Sequence, residues 1–247
     1  MKTFNTMLET ELKLSLRDMN MVIFAICVPI VVTVILGIIY GNEPAFDGAE
    51  YTFLAQSFGA LTTIAILAGG VMGLPMIVSD YREKKILKRF KVTPISPVLI
   101  LVVQLVIYAL YSVISLILVF ATLAIFFDYY MVGSWVLFLI SHFLTMLSMF
   151  SIGMMIGGVA PNAKIASVIA SLLYFPMLIF SGATLPYEVM PEALQRVANF
   201  MPLTQGIKLL QATSLGLSIE SVLIPIIIMI TLAVVCIAMS IRFFRWE

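Results

Sequence analysis

With 62% hydrophobic and only 11% charged residues in 247, the chain has too few charges to cover a soluble surface; soluble domains carry about 25%. A mean hydropathy of +1.13 puts the apolar excess against hydrocarbon, so the bilayer is the solvent that shapes the fold. The net charge of +1 decides nothing, because the charges are segregated along the chain. Cys27 and Cys236 fall inside apolar runs, where neither a disulfide framework nor a metal site is expected, and both read as small apolar fillers.

Residues 1–19 predict an amphipathic helix. Phe4, Met7, Leu8, Leu12, Ser15, Leu16 and Met19 share one face, while Lys2, Asn5, Glu9, Lys13 and Arg17 fall elsewhere. Such a helix lies in the headgroup plane, as an anchor or as a lever joined to the first span. Glu9, Glu11 and Asp18 among its bases, and the absence of a small-x-small pattern after the run ending at Tyr40, argue against a signal peptide. The first span is therefore expected to remain in the mature protein.

Six stretches reach the roughly 20 apolar residues that a membrane helix needs: 20–40, 53–78, 98–127, 134–160, 165–185 and 219–241. Backbone polar groups have no water partner in lipid, so each is expected to be helical. The fold class is all-α, a single transmembrane domain over 1–247. Asp128 and Gly133-Ser134 mark one tight hairpin, and 161–164 another. Twelve of the fourteen bases fall at one end of this arrangement, only Arg196 and Lys208 at the other, where Glu43, Asp47, Glu50, Asp128, Glu188, Glu192 and Glu220 lie. The positive-inside rule then predicts both termini in the cytoplasm.

The longest cytoplasmic connection, 79–97, is also the densest run of charge. Tyr81, Ile86, Leu87 and Phe90 interleave with Arg82, Glu83, Lys84, Lys85, Lys88 and Arg89, a pattern for a short helix with an apolar docking side, ended by Thr93-Pro94. Its bland reading is a topological determinant that binds anionic lipid. The outer region, 182–218, begins where the fifth span breaks at Ser181-Gly182. Between Pro191 and Pro202 a moderately apolar stretch, 192–200, predicts a short helix dipping back at the outer face, and with Pro186 these residues form the candidate outer gate.

Within the spans, Gly69 and Gly73, Gly153 and Gly157, and Ser167 and Ser171 recur at four-residue spacing, a packing device. Pro29 and Pro75 predict kinks. His142 is the single histidine and has no intramembrane carboxylate to pair with. It is a possible polar site, with a neutral imidazole bonded to Ser112 or Ser115 as the plainer reading.

At three segments the chain resembles the permeases of type-2 ABC exporters. Leu16-Arg17-Asp18-Met19-Asn20, then Pro29 and Gly37-Ile38-Ile39-Tyr40-Gly41, look like the family's first helix. Residues 82–89 with Thr93-Pro94-Ile95-Ser96 are similar to its coupling loop, although Lys85-Ile86 stand where Gly-Thr is usual. Ser181-Gly182, Pro186, Pro191 and Pro202-Leu203-Thr204 match its broken fifth helix and re-entrant region. The resemblance implies a dimer, with a second copy or a homologous permease, two cytoplasmic ATP-binding subunits, and export along the dimer interface in a bacterial plasma membrane. ATP and magnesium would belong to the partner: no lysine here follows a glycine, so the chain has no Gly-Lys-Ser/Thr phosphate loop. No cofactor and no nucleic acid are expected.

A secondary transporter is the alternative; it would place charged or broken-helix ion sites at mid-bilayer and show internal repeats, which the sequence lacks. An intramembrane enzyme would need a nucleophile with its base or a metal cluster, and one histidine cannot build a zinc site. Short outer loops and apolar spans suit an amphipathic or hydrophobic cargo, such as an antibiotic or a lipid-like molecule.

Overall fold

An unpaired backbone group in hydrocarbon costs several kcal/mol, so each apolar run closes its hydrogen bonds on itself as a helix. The computed structural model describes residues 2–17, 19–41, 43–46, 48–90, 96–184, 190–218 and 222–244. Six helices are long and apolar enough to cross a membrane: Met19–Tyr40, Phe53–Glu83, Val98–Phe126, Trp135–Val159, Ala163–Phe180 and Leu223–Phe243. They are called the first to sixth spans below. Among the described residues there is no strand, only an isolated bridge between Pro44 and Thr52.

Two boundaries differ from expectation by five residues. The second span continues five residues past 78, because Ser79, Tyr81 and Arg82 are buried and bonded rather than released into a loop. The fifth stops at Phe180 instead of 185, where Gly182 takes φ 96. Side-chain caps fix three starts: Thr52 accepts from the Ala55 amide, Ser96 from Val98 and Asn162 from Ile165.

The second span is the hub. In its most apolar window 83% of residues are buried, against 22% for the first and fifth spans, which leaves those two the widest apolar faces for lipid or another subunit. Pro29 and Pro75 each follow a π-helical turn, Ile23–Cys27 and Ala68–Gly73. Proline lacks the N–H that would serve the carbonyl four residues back, and the wider turn absorbs the mismatch. Gly69 and Gly73 receive Tyr108 of the third span, while Gly153 and Gly157 receive Gly70, Pro75 and Val78 of the second. The third expected pair does not pack this way: Ser167 and Ser171 are only partly buried, and Ala166 and Ala170 face the bundle. Cys27 is exposed rather than a filler, whereas Cys236 is buried.

The helix Lys2–Arg17 lies against the bundle through Phe4, Met7, Leu8 and Leu12, and Ser15 Oγ donates to Tyr111 Oη at 3.0 Å. Leu16 and Met19, expected on the same face, are 52% and 62% exposed. One element was not anticipated as a helix. After the short amphipathic helix Glu192–Phe200, the chain re-enters as Pro202–Leu215, most of whose residues are buried among the second, fourth and sixth spans.

Gly153 is the tightest of these contacts, since a Cβ there would strike the Gly70 carbonyl. Gly153→Ala should destabilise the folded chain by about 1–3 kcal/mol through overpacking, while Ser167→Ala should be near neutral. Thermal unfolding in detergent, followed by size-exclusion profile, checks the ranking.

Candidate functional site

A helix turns 100° per residue, so four consecutive residues at its end point to four neighbours. The last turn of the second span does so. Asp80 accepts from Lys84 Nζ at 2.9 Å and borders a cavity shared with the first and fifth spans. The Tyr81 hydroxyl donates to Glu11 Oε2 of the N-terminal helix at 2.6 Å, and Gln104 of the third span donates to the same carboxylate oxygen at 2.8 Å. The Arg82 guanidinium, 6% exposed, donates to the carbonyls of Gly157 and Ala160 at 2.8 and 2.7 Å and lies over the Phe244 ring. Glu83 Oε2 accepts from the Ala163 amide at 2.9 Å, placing a carboxylate at the N-terminus of the fifth span, where the helix dipole favours it.

The chain then reverses at Lys84-Lys85, and Lys85 takes φ 57. A left-handed L-residue costs about 1–2 kcal/mol. Lys85 is the first residue of the Lys85-Ile86 pair, where the resemblance puts Gly-Thr, and a left-handed φ is one that glycine adopts without this cost. The reversal leads into the short helix Ile86–Phe90. Leu87 is wholly buried against Val78, Tyr81, Ile100 and Leu101, with Ile86 beside it.

That packing corrects the division of labour expected in this loop. Leu87, Tyr81 and Arg82 are committed inside the chain, so they hold the short helix in place and offer nothing to a groove on another protein. Glu83, Lys84, Lys85 and Lys88 are the outward side chains. Of the remaining candidates, Arg89 and Phe90 belong to the helix but their side chains lie outside the described residues, as do Thr93 and Pro94. Sequence reasoning missed Glu11 and Gln104. Glu11 interrupts the apolar face of the amphipathic helix, at i+4 from Met7 and i+3 from Leu8, a signal that it is bonded within the bundle but not to which partner.

At the opposite end Ser181 is buried at the close of the fifth span, and Gly182 makes the break. Pro191 precedes the helix Glu192–Phe200, and Pro202 opens the buried helix at its first turn, where the missing N–H costs nothing. Pro186 lies outside the described residues. The hydroxyls of Ser181 and Thr204 are buried without a hydrogen-bond partner, polar groups at the place where the helices are interrupted. Lys208 donates to Asn199 Oδ1 at 2.6 Å, and burial pulls its ammonium pKa below the ordinary lysine value.

His142 is 1% exposed, and its Nε2 lies 3.1 Å from Ser112 Oγ, one of the two partners expected. Its ring stacks near Phe138, at the edge of an aromatic cluster with Phe58, Phe120, Tyr129 and Trp135. Among the described residues it hydrogen-bonds to none of those at the two ends just described; its partner is Ser112.

Residues 2–215 match the model of the ABC-2 type transporter family. The chain belongs to that family. Nodulation protein J of Rhizobium leguminosarum bv. viciae is 36% identical over 83 residues, 34% of this chain and 32% of that protein. Its namesake from Neorhizobium galegae is 34% identical over 73 residues, covering 30% and 28%. These matches therefore span only about a third of the nodulation proteins' length. The "Putative transport permease YvfS" of Bacillus subtilis (strain 168) is similar across 78% of this chain and 77% of its own, at 24% identity. As an ABC-2 family member the chain is a multi-pass membrane component of the permease type, and such permeases typically work with an ABC ATP-binding subunit.

The burial of Leu87 gives a test that separates fold from docking. Leu87→Asp puts a carboxylate into an apolar contact and should cost the ABC-2 chain several-fold in detergent-extractable, monodisperse yield. Lys88→Glu, on the outward side, should leave that yield unchanged. Fluorescence-detected size exclusion on tagged variants measures both.

Proposed function

We propose that the chain is the transmembrane subunit of an ATP-driven exporter, oriented with both termini and the 79–97 loop in the cytoplasm of a bacterial plasma membrane. It pairs with a second permease, itself or a homologue, and with two copies of an ATP-binding subunit that supply ATP and magnesium. The observation that carries this reading is the build of the second span's end: a short helix with Glu83, Lys84, Lys85 and Lys88 outward, pinned by Leu87 and Arg82 to three spans and by Tyr81 to the N-terminal helix.

A rigid charged knob of this kind suits the transfer of motion. A partner that grips it moves the second span, and the second span is packed against most of the bundle. The N-terminal helix, tied through Glu11, would follow. At the other end Ser181, Gly182, Pro186, Pro191 and Pro202 form the outer gate, since broken helices there can change their packing without unzipping a span. The cargo is amphipathic or hydrophobic and is taken from the inner leaflet.

Two measurements test the reading. In a background with Cys27 and Cys236 replaced by alanine, a cysteine at Glu192 should react with a membrane-impermeant thiol reagent on intact cells and one at Lys88 should not; labelling at Lys88 would reverse the orientation. The double variant Lys84→Glu/Lys88→Glu should weaken co-purification of the ATPase about tenfold, because opposed rim charges raise the dissociation rate and slow encounter. Wild-type retention of the ATPase by this variant would remove the loop from the contact.

A further inference from the structure

The cavity bordered by Asp80 has a volume of about 430 Å³, within the roughly 300–1,000 Å³ of small-molecule sites. It is a slot rather than a bowl. Asp80 and Ala163 stand at the basic end, while Ala68, twelve residues back along the second span, stands in its depth. At 1.5 Å per residue the slot is about 18 Å long. Methionines such as Met72 make the walls, and Phe24 of the first span and Phe175 of the fifth, 47% and 52% exposed, border it on its open side.

Asn20, Asp80, Tyr108 and Tyr174 put polar atoms into this mainly apolar lining, and two of them matter for a ligand. Asp80 is the one charged residue among the described residues that line the slot. Tyr174, 3% exposed, lines the slot about 16 Å from Ala163 by its eleven-residue separation, and its buried hydroxyl has no hydrogen-bond partner. Asp80 is paired with Lys84, but that pair is an exposed i,i+4 contact, with Lys84 65% exposed. Such pairs contribute little, so an incoming cation can displace the lysine, which swings out into water.

We infer that this slot binds a lipophilic cation, its ammonium on Asp80, its apolar body along the second span, and a hydrogen-bonding group at the buried end on Tyr174. An anionic amphipath binds more weakly, because its charge would meet the Asp80 carboxylate rather than pair with it. The ligand enters sideways from the bilayer between Phe24 and Phe175. That the bound cation is cargo rests on the exporter reading above; that it binds does not, and the experiment needs no ATPase.

The full chain in phosphatidylcholine nanodiscs is titrated with radiolabelled decyltrimethylammonium, 10-hydroxydecyltrimethylammonium and decyl sulfate, with empty nanodiscs subtracted. Saturable binding of one cation per chain is expected, at least tenfold tighter than decyl sulfate, with the hydroxylated cation tighter still. Asp80→Asn should weaken both cations about tenfold, and Lys84→Gln should strengthen them, a change that misfolding could not produce. Tyr174→Phe should erase only the preference for the hydroxylated probe. Met72→Trp should fill the slot and abolish binding. Equal binding of decyl sulfate, or cation affinities unmoved by Asp80→Asn, Lys84→Gln or Met72→Trp, would overturn the site; equal affinity of the two cations for the wild-type chain would overturn the role of Tyr174.

Discussion

A guanidinium shut away from water must find acceptors or cost several kcal/mol, and Arg82 finds them at a helix end that has carbonyls to spare. The Gly157 carbonyl would normally serve the amide four residues on, but that residue is Pro161, which has none. Arg82 takes that orphan together with the Ala160 carbonyl, and Ser79 Oγ donates to Gly157 as well, at 3.3 Å. The reach is possible because Gly153 and Gly157 let the second and fourth spans touch along Gly70 and Pro75. Phe244 beyond the sixth span closes over the charge. Three spans are thus fixed at one end by a single side chain, and the short helix that follows inherits its position from it.

The spans were legible because lipid leaves the chain so little choice: a run of about 20 apolar residues has to be a helix. What hydropathy cannot see is a polar residue buried by other protein. Ser79 to Glu83 read as loop for that reason and are helix. The helix Pro202–Leu215 is the larger case. Thr204, Gln205, Lys208, Gln211 and Thr213 make it look like a surface segment, yet its neighbours are spans rather than solvent or lipid, and Gly59 and Gly206 admit it by close approach. Composition placed a short helix at 192–200 correctly because that one is amphipathic on its own.

The candidate site was legible as a dense charge run with interleaved apolar residues, but not in how those residues divide. Periodicity says that Leu87 and Phe90 share a side; it cannot say whether the side of Leu87 faces another protein or the chain's own third span. Tertiary packing chose the latter. The Glu11 carboxylate stands on the apolar face of its helix, but nothing in local sequence names its partners, Tyr81 and Gln104, 70 and 93 residues away. Lys85 is a further case: nothing in a lysine announces the left-handed φ of 57 that it takes at the reversal.

The phase of four residues ties these observations to one another. Because Asp80, Tyr81, Arg82 and Glu83 leave the helix 100° apart, any rotation or tilt of the second span's end moves all four contacts together. Arg82 and Tyr81 are the stiff ones, buried and bonded to two oxygens or to a shared carboxylate. Glu83 is an exposed cap on the fifth span, and the Asp80–Lys84 pair is exposed and weak. A pull on the outward lysines therefore reaches Asp80 first, through Lys84 itself, before the Arg82 clamp must yield. The mouth of the slot is thus the softest of the four contacts and sits one turn from the outward charges, so occupancy there and force on the loop act on the same turn of helix.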